Sequence, residues 1–289
     1  MILIILLTFN FQLLTFNFLN YINKLQNIIN KNRSNLVVGL DPDLDKIPDL
    51  FLKYKNPVAE FNKLIIESSK DIVAGYKPNV AFYECLGEQG VEAIRETVKV
   101  IPNNLLKICD AKRGDMGNTA EYYARTYFDI YDFDSITMSP YMGVDSVSPF
   151  LERKNKSVYI LALTSNPGGN DFQRLKIGDK FLFEIVMEKC LEWNNNDNVG
   201  FVIGANHTEE LDKFTKAHPE ISLLIPGIGA QANDLDKLLN SLHTNNFVIN
   251  SSRGIIYSAP KDCSESEFAE SVRNAVNDLN ISINEKLTD

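Results

Sequence analysis

Short apolar runs rich in β-branched residues alternate with longer amphipathic stretches along most of this chain. The short runs are Leu36–Leu40, Ile72–Tyr76, Leu105–Cys109, Ser135–Met138, Val158–Leu163, Val199–Gly204, Ser222–Ile225 and Phe247–Asn250. Each has the length and composition of a buried strand. Between them a helical period predicts helices near 57–70, 88–100, 118–130, 143–151, 179–193, 208–217 and 233–242, with a last one near 265–280. Tyr21, Ile22, Leu25, Ile28 and Ile29 recur at helical spacing and predict a capping helix ahead of the first strand. Eight buried strands, each followed by a helix, predict an α/β fold: a parallel sheet closed into a (β/α)8 TIM barrel. An open doubly wound sheet is the alternative, but the first run ends Gly39-Leu-Asp-Pro-Asp43, without the glycine fingerprint of that fold. No Pro/Gly/Ser-rich linker divides the chain, so residues 20–289 read as a single domain.

Residues 1–19 do not join this pattern. Ile2–Leu7 is apolar and Leu-Leu-Thr-Phe-Asn-Phe occurs at 6–11 and again at 13–18. A signal peptide would carry a basic start and a small-residue cleavage site, and neither is present. Asn, Gln and Thr interrupt the stretch too often for a membrane span. It reads as a disordered N-terminal extension; a weak membrane anchor is the minor alternative.

Composition narrows the function more than the fold. The 289 residues are 44% hydrophobic and 23% charged, an ordinary globular balance. A net charge of −9 and a pI near 5.0 argue against a nucleic-acid or anionic-membrane partner. Cys85, Cys109, Cys190 and Cys263 are scattered, which suits free thiols in a reducing cytoplasm. His207, His218 and His243 show no metal-ligand spacing, so neither a metal centre nor a His-based triad is expected.

In a barrel of this kind the chemistry lies at the C-terminal ends of the strands. Those ends carry Asp41, then Lys77 and Asn79, then Asp110, Lys112 and Asp115, then Thr164-Ser165-Asn166, then Pro226-Gly-Ile-Gly-Ala-Gln231, and last Ser251-Ser-Arg-Gly254. The fourth and sixth ends offer only Ser139-Pro-Tyr141 and Ala205-Asn-His207. Residues two apart on a strand share a face, so Asp110 and Lys112 are expected to point together into the barrel mouth. Neighbouring carboxylates favour the charged form of a lysine, which makes Lys112 a candidate proton donor. A rim salt bridge with no chemistry is the competing interpretation. Gly227, Gly229, Gln231 and Arg253 form a candidate phosphate cradle, with backbone amides and one bidentate cation.

With these residues in place, the chain resembles the orotidine 5'-phosphate decarboxylase family. The segment Asp110-Ala-Lys-Arg-Gly-Asp-Met-Gly-Asn-Thr-Ala120 is similar to a bacterial subgroup's motif, with Met116 in place of its isoleucine. Gly39-Leu-Asp-Pro-Asp43, Tyr76-Lys-Pro-Asn79, Leu163-Thr-Ser-Asn-Pro167, Pro226–Gln231 and Ser252-Arg-Gly254 extend the likeness over about residues 21–280. The resemblance implies conversion of orotidine 5'-phosphate (OMP) to UMP and carbon dioxide, in pyrimidine biosynthesis, with no metal and no organic cofactor. It implies Lys112 as general acid and Asp110 as its anchor beside the departing carboxylate. It implies a cytoplasmic homodimer with shared active sites, Asp115 and Thr119 entering the neighbour's site. Asp41 and Lys77 would then contact the ribose with Asn79 close by, Thr164 and Ser165 the pyrimidine, and Gln231 and Arg253 the phosphate, with Ser252 a further substrate-binding residue. The segment after Gly229 would be a gate that closes over the phosphate. Two other functions compete: a metal-dependent sugar-phosphate decarboxylase or aldolase with the same Asp-x-Lys-x-x-Asp pattern, and a non-catalytic nucleotide-binding barrel.

Overall fold

The computed structural model describes residues 20–227 and 232–287. The N-terminal extension, Gln231 and the gate expected after Gly229 therefore lie wholly or mainly outside the described residues. Eight parallel strands close into a barrel: β1 (Leu36–Leu40), β2 (Gly75–Pro78), β3 (Leu106–Arg113), β4 (Ser135–Met138), β5 (Ser157–Leu163), β8 (Val199–Ile203), β9 (Ser222–Pro226) and β10 (Phe247–Ser251). Two further strands among the described residues, β6 (Lys176–Ile177) and β7 (Lys180–Phe181), form an antiparallel hairpin in the connection that follows β5. The predicted single-domain (β/α)8 barrel is thus the observed architecture. Among the described residues no helix is long and apolar enough to cross a membrane.

Two strands depart from expectation: β3 runs on to Arg113 rather than ending at Cys109, and β2 starts at Gly75 rather than Ile72. The carbonyls of Ile72 and Val73 are taken by the side-chain amides of Asn280 and Asn32, at 2.5 and 2.8 Å, which leaves them out of the ladder. Pairing with β3 begins where the side chain vanishes. A Cβ on Gly75 would lie 2.2 Å from the Leu106 carbonyl oxygen, so only glycine permits this approach. The helix expected near 118–130 is an α-helix over Gly117–Ala124 followed by a π-turn over Arg125–Ile130.

The first helix, Tyr21–Asn32, covers the N-terminal end of the barrel as its pattern predicted. The Tyr21 hydroxyl lies 3.3 Å from Ser135 Oγ and 3.0 Å from the Tyr159 hydroxyl, which in turn lies 2.9 Å from Ser222 Oγ. Ser135 and Ser222 begin β4 and β9, so this buried chain of hydroxyls closes the barrel floor. Lys24 adds an ion pair to Asp134 at 2.7 Å. With the floor plugged, the mouth at the opposite end is the place for a ligand.

Candidate active site

The β2, β3 and β4 ends build a compact charged group. Asp110 accepts from Lys77 Nζ at Oδ2 (2.8 Å) and from Lys112 Nζ at Oδ1 (2.6 Å). Thr137 Oγ1 donates a third hydrogen bond to Oδ1 at 3.0 Å. Burial alone would raise the Asp110 carboxyl, but the ammonium groups of Lys77 and Lys112 outweigh it. They hold the group well below the usual carboxylate range. The Lys77 side chain is only 4% exposed whereas that of Lys112 is 51% exposed. Lys77 is therefore the buried counter-charge, and Lys112 is the cation that faces the mouth. Leaving a buried partner of this kind unpaired costs about 3–5 kcal/mol.

Regular strand alternation is not how Lys112 reaches Asp110. The β3–β4 register shifts between Cys109 and Arg113, and Lys112 sits in the left-handed region at φ 47°. For a lysine that conformation costs about 1–3 kcal/mol, a strain that persists only where the surroundings impose it. The bulge also sends the next residue the other way. Arg113 leaves the barrel, pairs with Glu84, donates to the Tyr127 hydroxyl at 2.6 Å, and packs over the rings of Tyr123 and Tyr127. One face of the segment is thus anchored between the outer helices while the other carries the charge group.

The opposite side of the mouth, where β1 meets β10, is arranged differently. Asp41 Oδ1, Asn250 Oδ1 and Ser252 Oγ are buried and make no hydrogen bond among the described residues. A Cβ on Gly39 would come within 2.8 Å of Ser252 Cβ, so glycine lets the end of β10 sit against β1. The Tyr257 hydroxyl donates to the Asp41 carbonyl at 2.9 Å and accepts from the Asp43 amide at 2.7 Å, which fixes the turn after β1. Arg253 follows at the start of a short helix, Arg253–Ile256, with its side chain exposed. Orphaned buried oxygens next to an exposed arginine are what a polar, anionic ligand would satisfy.

Comparison with known proteins shows the family to which the chain belongs. Residues 34–265 match the family described as Orotidine 5'-phosphate decarboxylase / HUMPS. An orotidine 5'-phosphate decarboxylase of Dehalococcoides mccartyi is 45% identical over 273 residues, covering 92% of this chain and 98% of that relative. One from Christiangramia forsetii is 48% identical over 245 residues, covering 83% and 89%. Among solved structures, Leishmania donovani OMP decarboxylase superposes with a TM-score of 0.80 at 33% identity, covering 93% of this chain and 99% of that one. The chain belongs to the orotidine 5'-phosphate decarboxylase family. It is accordingly a carboxy-lyase.

Within this decarboxylase framework the expected residues fall into four groups. Lys77, Asp110 and Lys112 meet directly, and the Asn79 backbone bridges to Asp110 while its Oδ1 accepts from the Ala81 amide at 3.2 Å. Asp41, Ser252 and Arg253 collect at the β1–β10 seam. Asp115 and Thr119 follow the end of β3: Asp115 Oδ1 accepts from the Met116 amide at 2.8 Å, and Thr119 is exposed in the first turn of Gly117–Ala124. At the end of β5 the Thr164 hydroxyl is already engaged, donating to Asn166 Oδ1 at 2.6 Å and accepting from Gln173 Nε2 at 2.9 Å. Ser165 is exposed and has Gly204 and Gly227 beside it.

Three features of the decarboxylase site were not anticipated. Thr137 is one; it lies two residues after Ser135 on β4, and their shared inward face was a readable signal. Asn250 is another, hidden as a polar residue inside an apolar run. The third is a clamp behind Thr164. His207 Nε2 lies 3.0 Å from the Thr164 carbonyl, and its Nδ1 lies 3.1 Å from Arg174 Nη2, which pairs with Glu210 at 2.5 Å. Arginine can only donate, so Nδ1 accepts and Nε2 carries the proton that holds Thr164.

Proposed function

We propose that the chain converts OMP to UMP and carbon dioxide, the closing step of UMP synthesis in the cytoplasm, by direct decarboxylation with Lys112 as general acid. The bond from carbon 6 of the pyrimidine to its carboxylate breaks, the electron pair stays on carbon 6, and carbon dioxide leaves. Lys112 then delivers its proton to carbon 6. The single observation that carries this reading is the exposed Lys112 ammonium held 2.6 Å from an Asp110 that is itself locked onto buried Lys77. A fixed cation at the point where negative charge develops lowers the barrier without reorganising at the moment of reaction. The chemistry needs no metal or organic cofactor, because the charge on carbon 6 is met by the lysine alone.

Asp41, Lys77 and Asn79 are assigned to the ribose, Thr164 and Ser165 to the pyrimidine edge, and Gln231, Ser252 and Arg253 to the phosphate. The unpartnered Asp41 Oδ1 and Ser252 Oγ support the first and last of these. With its hydroxyl engaged, Thr164 reads the base through the Asn166 and Gln173 amides it orients, and Ser165 contacts it directly. Asp115 and Thr119 are assigned to the active site of a second copy in a homodimer. Exposed apolar side chains support such an interface: Met116 next to Asp115 after β3, and Tyr141, Met142 and Val144 after β4.

The deciding experiment follows the absorbance change of OMP with purified protein, in the presence and absence of a chelator. Turnover to UMP that survives the chelator is expected. No turnover by folded protein would overturn the assignment, and turnover lost to the chelator would point to the metal-dependent relatives of the fold instead.

A further inference from the structure

We propose that Thr137 is a positioning residue, which locks the Asp110 carboxylate to the strained backbone of Lys112 and so aims the Lys112 ammonium. Thr137 is 2% exposed and lies near the C-terminal end of β4, opposite the bulge in β3. Its Oγ1 accepts from the Lys112 backbone amide at 3.0 Å and donates to Asp110 Oδ1 at 3.0 Å. A hydroxyl has one proton, and the Lys112 amide brings its own. The Thr137 proton is thus left for the carboxylate, and both contacts hold at once only in this orientation.

The geometry couples two features that would otherwise be independent. Lys112 holds φ 47°, a conformation a lysine adopts only under outside constraint. The hydrogen bond from its amide to Thr137 is that constraint on the β4 side. Asp110 Oδ1 receives the Lys112 ammonium from one side and the Thr137 hydroxyl from the other, so the carboxylate cannot rotate with the lysine. A branched side chain adds stiffness, because Thr has few rotamers open to it on a strand. Loss of the hydroxyl releases the Lys112 amide, lets the backbone leave the left-handed region, and moves the ammonium while its charge survives.

This proposal rests on the role of Lys112 in decarboxylation, and the experiment separates the two. Thr137→Val keeps the branch and removes the hydroxyl; Thr137→Ser keeps the hydroxyl. Thr137→Val is expected to lower kcat about 100-fold, the loss typical of a reacting group displaced by about 1 Å. Its KM and the stoichiometry of UMP binding are expected to stay near wild type, and Thr137→Ser to recover most of kcat. A role in folding alone would instead lower the fraction of sites that bind UMP and leave kcat per site intact. That outcome overturns the proposal, as does a Thr137→Val kcat close to wild type alongside an inactive Lys112→Ala. Should Thr137→Val not fold, Thr137→Ala carries the same comparison with Thr137→Ser. If Lys112→Ala itself keeps decarboxylation within tenfold of wild type, the assigned mechanism fails rather than the positioning role.

Discussion

The two sides of the barrel mouth solve opposite problems. Across β2, β3 and β4, Asp110 is saturated by Lys77, Lys112 and Thr137 within the chain itself. Across β1 and β10, Asp41, Asn250 and Ser252 each keep a buried oxygen unpaired among the described residues. A charge that must stabilise a transition state gains from being fixed before the substrate arrives, since any reorganisation would add to the barrier. A group that recognises substrate must keep its hydrogen-bonding capacity for it, at some cost in stability. The saturated side should therefore govern kcat and the unsaturated side should govern binding.

Lys112→Ala tests the first half with the largest effect. Removing a positioned general acid should lower kcat by about 10³-fold, near the middle of the range for such groups. Binding of UMP, measured by titration calorimetry, should persist because Asp41, Ser252 and Arg253 are untouched. Residual decarboxylation within tenfold of wild type would remove Lys112 from the chemistry. On the other side, Arg253→Ala should lower kcat/KM for OMP by about 10- to 100-fold, the range for a lost charged hydrogen bond. The decarboxylation of orotidine, which lacks the phosphate, should hardly change. An equal loss on both substrates would make Arg253 a structural residue of the helix it begins.

Asp115 falls on neither side of this comparison, since its carboxylate accepts from the Met116 amide and forms no ion pair with Lys112 among the described residues. If it completes a neighbour's site, Asp115→Ala and Lys112→Ala subunits should complement one another. In a hybrid dimer one of the two sites regains both residues. After subunit exchange at equal concentration, recovery should approach about a quarter of wild-type activity, because half the dimers are hybrid and each has one intact site. Exchange without recovery would confine the site to one subunit.

How much of this was legible depended on how local the cause was. The bounds of β1 and β4 follow directly from apolar runs that end in Asp-Pro and Ser-Pro, and the observed strands coincide with them. β2 was misplaced because Asn32 and Asn280, distant in sequence, take the carbonyls that precede it. The pairing of Asp110 with Lys112 was expected from strand alternation, yet a bulge and a left-handed lysine bring it about. Thr137 and Asn250 are hard to read from the sequence because they are polar side chains within strands, whereas the residues that mark a barrel mouth follow the strand ends. The clamp of Arg174 on His207 had no pattern to betray it, since Arg174 lies in an aperiodic connection between β5 and β6.

Acid sensitivity gives the finest test of whether the charged side is assembled before substrate binds. The folded state holds Asp110 well below the usual carboxylate range, against about 3.9 for an unfolded aspartate. The unfolded chain therefore takes up this proton first as pH falls. The stabilisation from Asp110 is present above about pH 4 and is lost as pH drops through that value towards the folded one. One proton corresponds to a slope of ~1.4 kcal/mol per pH unit in the unfolding free energy. Asp110→Asn should remove that contribution below pH 4, giving a flatter acid profile in denaturant titrations of the free protein, on top of a lower stability at neutral pH. An unchanged acid slope would mean that Lys77 and Lys112 do not hold the carboxylate in the absence of ligand. The contrast between a preassembled side and a receptive one would then disappear.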